Sequence, residues 1–295
     1  MNALTRVAGF LLGIAAVFGI ALAIGERVGP VGASADTTME HSSSGEAGEE
    51  VPGGLMVSSD GFTLALEDPV VEAGAARPVP FVIEGPDGPV KSYDVEHEKR
   101  LHFIAVRRDF IGFQHVHPEL APDGTWTTAL DLTPGQWRVF ADFKPSGANE
   151  VILGSDLSVP GQVAVAEEGL GARVATVDGH TVTLDGDLVP GEDSVLQLSV
   201  AKDGRPVTDL EPYLGAYGHL VALRGGDLAY LHVHPEGEPG DGETAPGPEV
   251  EFVVEVPSPG SYHLFLDFKH EGVVRTASFA LEAGADHGGD DDLHE

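Results

Sequence analysis

The chain has 295 residues, 48 acidic against 16 basic side chains, a formal charge of −32 and no cysteine. That acidity argues against nucleic acid or an anionic lipid surface as a partner, since both would repel it. Without cysteine there is no disulfide, lipid-attachment thiol or thiolate metal site, so an exported fold must rest on its own core.

The N-terminus reads as a membrane signal. Arg6 precedes Ala8–Ile24, seventeen residues without a charge, and Glu26 and Arg27 close the run. That length is at the lower limit for a spanning helix and slightly long for a signal-peptide core. Residues 1–33 are therefore expected to be an uncleaved anchor. The alternative is a secretory signal cut near Ala33-Ser34-Ala35. Either outcome exports the rest of the chain: a single-pass cell-membrane protein with extracytoplasmic domains in the first case, a secreted one in the second. Residues 34–53 lack apolar periodicity and read as a flexible stalk.

From residue 54 the sequence becomes a series of short, apolar-alternating runs. In residues 54–162 these are Phe62–Leu66, Val79–Ile83, Leu101–Val106, Phe113–His117, Thr127–Leu132, Gln136–Phe143 and Ile152–Val159. Turn formers such as Pro86-Asp87-Gly88, Pro122-Asp123-Gly124 and Pro134-Gly135 separate them. About seven short strands in some hundred residues predict an immunoglobulin-like sandwich. Trp137, Val139, Ala141 and Phe143 alternate on one face, as do Tyr262, Leu264, Leu266 and Phe268, which marks those faces as core. A linker at 163–170 leads to a second such unit at 171–283, and 284–295 is an acidic, His-bearing tail. The expected fold class is all-β: two tandem immunoglobulin-like β-sandwich domains after an N-terminal transmembrane helix.

The two units are copies of one another. Aligned without gaps, His102–Glu119 and His219–Glu236 share eight identities in eighteen positions, three of them histidines. Each copy reads His…His-Val-His-Pro-Glu, with His115-Val116-His117-Pro118-Glu119 answered by His232-Val233-His234-Pro235-Glu236. Pro134-Gly135…Asp142-Phe143-Lys144 likewise answers Pro259-Gly260…Asp267-Phe268-Lys269, with an acidic Gly/Pro-rich insertion near Gly237–Pro248 absorbing the difference in spacing.

These shared polar residues are the candidate site. Side chains at i and i+2 of a strand share a face, so His115 and His117 point the same way, as do His232 and His234. If the third and sixth strands are neighbours, Asp142 can meet His102, and Asp267 can meet His219. Imidazole is the commonest metal ligand, and a carboxylate serves beside it as ligand or as a tautomer-fixing partner. One metal group per repeat is expected: His102, His115, His117 and Asp142, then His219, His232, His234 and Asp267. The competing reading is a His–Asp hydrogen bond that pins a loop, with His-Pro-Glu forming a tight turn. His97, His263 and the histidines of the acidic segments (His41, His287, His294) have no counterpart in the other repeat and are set aside. Imidazole with carboxylate in an oxidising compartment suits Cu(II) or Zn(II), and spacing does not separate them. No nucleophile elbow, phosphate loop, zinc-protease helix or glycosidase carboxylate pair occurs, which argues against an enzyme.

An anchor, a His-bearing stalk, paired His-x-His-Pro sandwiches carrying Pro-Gly-x-[Trp/Tyr]-x-x-Phe-x-Asp-Phe-Lys, and a His/Asp tail together resemble largely uncharacterised actinobacterial cell-envelope proteins. Some of those are labelled heavy-metal-binding. Single units are more loosely similar to small exported copper-handling sandwiches, which place their ligands elsewhere. The resemblance implies an envelope location and a metal ion as partner. The leading expectation is thus a membrane-anchored, non-enzymatic Cu(II)- or Zn(II)-binding protein. The alternatives are a surface scaffold that binds an envelope protein or polymer, and a copper-dependent redox enzyme.

Overall fold

A computed structural model describes residues 51–164, 172–231 and 233–284. The anchor, nearly all of the stalk, most of the linker, the acidic tail and His232 lie outside the described residues. Among those described there are twenty strands and no helix, hence none long and apolar enough to cross a membrane.

The first repeat contains β1 (Ser58–Ser59), β2 (Phe62–Leu66), β3 (Gly74–Gly85), β4 (Gly88–Pro89), β5 (Leu101–Arg107), β6 (Gln114–Val116), β7 (Glu119–Leu120), β8 (Thr125–Leu132), β9 (Gly135–Phe143) and β10 (Val151–Val159). The second contains β11 (Val174–Val177), β12 (His180–Asp185), β13 (Asp193–Lys202), β14 (Arg205–Pro206), β15 (His219–Arg224), β16 (Tyr230–Leu231), β17 (Val233–Pro235), β18 (Glu249–Glu255), β19 (Gly260–His270) and β20 (Val273–Ala283). Each repeat pairs a six-stranded sheet with a four-stranded one. The orders are β1-β2-β3-β8-β7, with β4 on β3, and β10-β9-β5-β6; then β11-β12-β13-β18-β17, with β14 on β13, and β16-β15-β19-β20. The strand order is the same in both copies. All pairings between these strands are antiparallel.

Alternation decides which side chains enter each sandwich. Trp137, Val139, Ala141 and Phe143 of β9 meet Phe81, Phe103 and Trp126 in the first core, where the Phe81 and Phe103 rings stack at 4.6 Å. Tyr262, Leu264, Leu266 and Phe268 of β19 do the same against Leu196, Leu198 and Phe252 in the second.

The opposite faces of the four-stranded sheets are buried as well. Every residue of β5 is buried, which one sandwich core cannot explain because it covers one face only. The remaining face of β5 and β9 lies against that of β15 and β19, closing a third apolar cluster of Ile104, Val106, Phe110, Phe140, Val221, Leu223, Leu228, Tyr230 and Phe265. This seam is built from equivalent residues used reciprocally. Phe113 stacks on Phe265 at 4.0 Å, and its counterpart Tyr230 meets Phe140, the counterpart of Phe265, at 5.7 Å. The equivalent residues His102 and His219 face one another with rings nearly parallel, 8° apart. That reciprocity is the signature of a twofold, self-complementary interface, here made within one chain.

Residues 53–56 seal one margin of the seam. Gly54 donates its N–H to the Ile152 carbonyl, Gly154 donates to the Met56 carbonyl, and Tyr230 donates to the Gly53 carbonyl, so the segment bridges β10 and β16. Arg138 donates to the carbonyls of Gly54 and Leu55 at 2.6 and 3.0 Å. Gly54 has φ +72°, and a Cβ there would lie 2.4 Å from the Phe140 ring. Gly54→Ala is therefore expected to destabilise the protein by about 2–4 kcal/mol, from the left-handed backbone and the overpacking together. Urea denaturation monitored by tryptophan fluorescence measures it.

Candidate metal centre

The register of the four-stranded sheet of the first repeat gathers three histidines. His102 lies on the seam face of β5, two residues before Ile104. Ile104 pairs with His115 of β6, which places His115 on the same face. His117 follows at i+2, where the chain leaves that sheet to enter β7 of the other. His102 Nδ1 lies 3.0 Å from His115 Nε2 and 3.3 Å from His117 Nε2. Among the described residues this is the one group of three whose ligand atoms converge. Three nitrogens bound to one tetrahedral ion at about 2.0–2.1 Å would be separated by roughly 3.3–3.4 Å, so His102 is near ligand spacing from both of its partners, and all three ligand atoms lie within 4.8 Å of one another.

The outward nitrogens determine what the inward ones present. His102 Nε2 faces the Glu96 carbonyl at 3.2 Å and must donate to it. His115 Nδ1 faces Asp267 Oδ2 at 2.9 Å, a carboxylate of the second repeat that also accepts from Thr276 Oγ1 on its other oxygen. With its hydrogen directed outward, neutral His102 turns the lone pair of Nδ1 inward toward His115 Nε2, 3.0 Å away. Two ring nitrogens at that distance are held together by a proton or a cation between them. Histidines that donate one ring N–H to a carbonyl or carboxylate while the other nitrogen faces an ion are the usual second-sphere arrangement of metal sites.

Burial keeps the surrounding imidazoles neutral. It pushes His102 down to about 3, with His115 adding to the shift, and His117 down to about 3, with His115 and then His102 contributing. Burial likewise holds His219 well below the ordinary histidine range, before the neighbouring rings add their part. Neutral imidazole is the form that binds metal, and it is the form present at neutral pH.

The remaining expected residues are distributed unequally. His219 pairs with Asp267 across β15 and β19, but its ring packs on His102 and on His115, 5.7 and 4.9 Å away between centroids. It closes the cluster from the second repeat without joining the trio. Asp142 is the strand partner of His102, yet its carboxyl hydrogen-bonds Glu150 and not a histidine. Burial first, and Glu150 next, push Asp142 well above the usual carboxylate range. His234 is exposed on β17, in the six-stranded sheet away from the seam. His232 falls outside the described residues. The groups divided between repeats in the sequence thus supply a single cluster on the seam.

His97, which has no equivalent in the other repeat, sits on a tight turn closed by reciprocal Glu96–Lys99 backbone bonds. His97 and Glu98 there both have positive φ, 46° and 66°. The His97 ring lies exposed over the cluster, 6.1 Å from His102 and 5.8 Å from His219. His263 is buried and stacks on Phe110. Sequence reasoning missed a second histidine pair, His180 and His270, buried with Nε2 and Nδ1 2.9 Å apart and with Asp209 3.3 Å from His270. Neither residue has a histidine counterpart in the first repeat, so the duplication gave no signal for them. It also missed Thr276 and the Glu96 carbonyl, whose roles depend on the fold alone.

Fold and site together define a two-repeat all-β protein with a histidine cluster on the seam between its repeats. The chain belongs to the family described as Domain of unknown function (DUF8832), whose model matches residues 57–153 and 175–285, one segment in each repeat. No curated protein matches it. Among solved structures it is similar to the Escherichia coli adhesin FdeC, at 14% identity over 77% of this chain and 65% of that one, with a TM-score of 0.24. It is also similar to a putative membrane anchored protein from Corynebacterium diphtheriae, at 11% identity over 76% of this chain and 59% of that one, TM-score 0.22. A third is invasin, a bacterial integrin-binding protein, at 12% identity over 77% and 41%, TM-score 0.24. The chain spans less than two thirds of the length of each of these three. Likeness at such scores bears neither on function nor on how the two repeats are arranged.

Proposed function

We propose that this protein is an extracytoplasmic, membrane-anchored, non-enzymatic body of two sandwiches that holds one divalent metal ion, Cu(II) or Zn(II), at His102, His115 and His117. The observation that carries the reading is the convergence of three ring nitrogens, His102 Nδ1 lying 3.0 Å from His115 Nε2 and 3.3 Å from His117 Nε2, with Glu96 and Asp267 bonded to the outer nitrogens of His102 and His115. Charge and neutral imidazoles favour a cation, and the absence of cysteine favours a borderline over a soft one. The extracytoplasmic location rests on the apolar N-terminal run, and a metal label is also what the envelope resemblance implies.

A second reading is supported by the seam. Its apolar cluster and reciprocal aromatic pairs can hold the repeats as one body without an ion. The histidines would then be structural, with a proton on His115 Nε2 bridging to His102, and the protein would be a scaffold for an envelope protein or polymer. Calorimetric titration of the chelator-treated protein with Zn(II) and Cu(II) separates the two. One equivalent is expected, weakened at least 100-fold by His102→Ala or His117→Ala and unchanged by His234→Ala. Uptake that ignores both triad substitutions, or no uptake, leaves the scaffold reading standing.

A further inference from the structure

Three features lie outside the trio: the His180–His270 pair, the cavity beside His117, and the link from the trio to the second repeat. The His180–His270 pair offers one exposed carboxylate and two rings already bonded to one another. The cavity, lined by Lys99, Arg100, His117 and Glu119 among others, carries both charges and selects no ligand class. The link to the second repeat is a buried contact between named groups of the two repeats.

His115 belongs to the first repeat, but the group that sets its tautomer belongs to the second. Asp267 Oδ2 lies 2.9 Å from His115 Nδ1, across 152 positions of sequence. The carboxylate is buried, with a side-chain exposure of 3% against 1% for His115, so water does not substitute for either partner. Thr276 of β20, opposite Asp267 in the register, donates to its second oxygen and fixes its rotamer. The ring of His219 lies over His102 and beside His115, closing the same side. The corresponding carboxylate of the first repeat, Asp142, is engaged with Glu150. One copy has kept the ligands, and the other has kept the group that orients them.

We propose that Asp267 is a positioning residue for a metal site formed by the other repeat, so that loading the ion and docking the two repeats are one coupled equilibrium. This rests on the metal-binding reading above. A carboxylate that accepts from a ligand histidine strengthens its basicity and holds its ring in place, and losing such a partner typically weakens metal affinity 10–100-fold. Because the orienting group comes from across the seam, any separation of the repeats leaves His115 free to rotate or change tautomer. By linkage, an ion that binds the docked form more tightly stabilises docking by the same factor.

The test uses the full chain and Zn(II) as probe. Affinity is read by calorimetry, and docking by amide hydrogen exchange in β15 and β19 with and without zinc. The wild type is expected to bind zinc and to slow exchange along the seam when loaded. Asp267→Asn keeps the shape and is expected to bind 10–100-fold more weakly, with the zinc-induced slowing lost. Thr276→Val, which leaves the carboxylate in place, should show a several-fold loss and covers the case in which Asp267→Asn does not fold. Wild-type zinc binding that survives both substitutions unchanged overturns the coupling and leaves the metal reading intact. So does zinc binding without slower seam exchange. A wild type that takes up no zinc overturns both.

Discussion

Replacing Phe265 with alanine is expected to destabilise the protein by about 3–5 kcal/mol, as much as removing a phenylalanine from the interior of either sandwich. Phe265 is 2% exposed, yet it lies on the face of β19 turned away from the second core. Its neighbours are Phe113, stacked at 4.0 Å, and the apolar side chains of β5 and β9. A cost of that size at this position means that the seam is an interior. The comparison is Phe252→Ala, which opens a void inside the second sandwich without touching the seam. Both should lower stability alike, but Phe265→Ala should also broaden or split the urea transition, because it loosens the coupling between two bodies that each retain a core. A Phe265→Ala protein within 1 kcal/mol of wild type would show that the repeats do not stay docked in solution.

The second large effect is acid sensitivity of the metal-free protein. Unfolded histidines titrate near 6.5, whereas burial holds folded His102 and His117 at about 3. His219 shifts in the same direction. Between those values the unfolded chain binds more protons than the folded one, so stability is full above about pH 6.5 and falls as the pH drops toward 3. Asp142 acts oppositely: its raised folded value means that its contribution grows as the pH falls. Three histidines opposed by one carboxyl leave a net of roughly two protons, a slope of at most about 2.7 kcal/mol per pH unit. Urea midpoints in chelator at pH 7, 6 and 5 should fall steadily below pH 6.5. A flat profile would show that the imidazoles are already charged in the fold.

Much of the architecture was legible in the sequence because turn chemistry and alternation are local. The run Phe62–Leu66 is the strand itself, and the runs at Leu101, Gln136 and Ile152 differ from β5, β9 and β10 by a residue at an end. The faces assigned to the cores through Trp137 and Tyr262 are those that fill them. The seam was not read, because its face carries His102, Arg138, Asp142, His263 and Asp267 among its apolar residues and so reads as a solvent face. The four-residue apolar run Phe103–Val106 within β5 was the sign that both its sides are covered. The site shows the same division. Duplication pointed to His and Asp, but it implies two equivalent groups, and only three-dimensional pairing shows that one copy's aspartate bonds the other copy's histidine. His234 illustrates the limit: its motif repeats that of His117, yet its strand pairs with β18 and carries the ring away from the seam.

The short segment Gly53–Met56 has a further consequence. β10 and β16 are the outermost strands of the two inner sheets, and an outermost strand offers unpaired N–H and C=O groups to any extended chain that reaches it. In this protein the polypeptide occupies that template with its own leading residues, bonding to both strands at once. Protection against sheet-to-sheet polymerisation at this margin is therefore shared between Gly53–Met56, which covers Ile152 and Gly154 of β10 and Tyr230 of β16, and Pro69–Val71, which covers Ser158 further along β10. Losing the residues up to Met56 would leave both cores untouched and still uncover the Ile152–Gly154 stretch of one border and Tyr230 on the other.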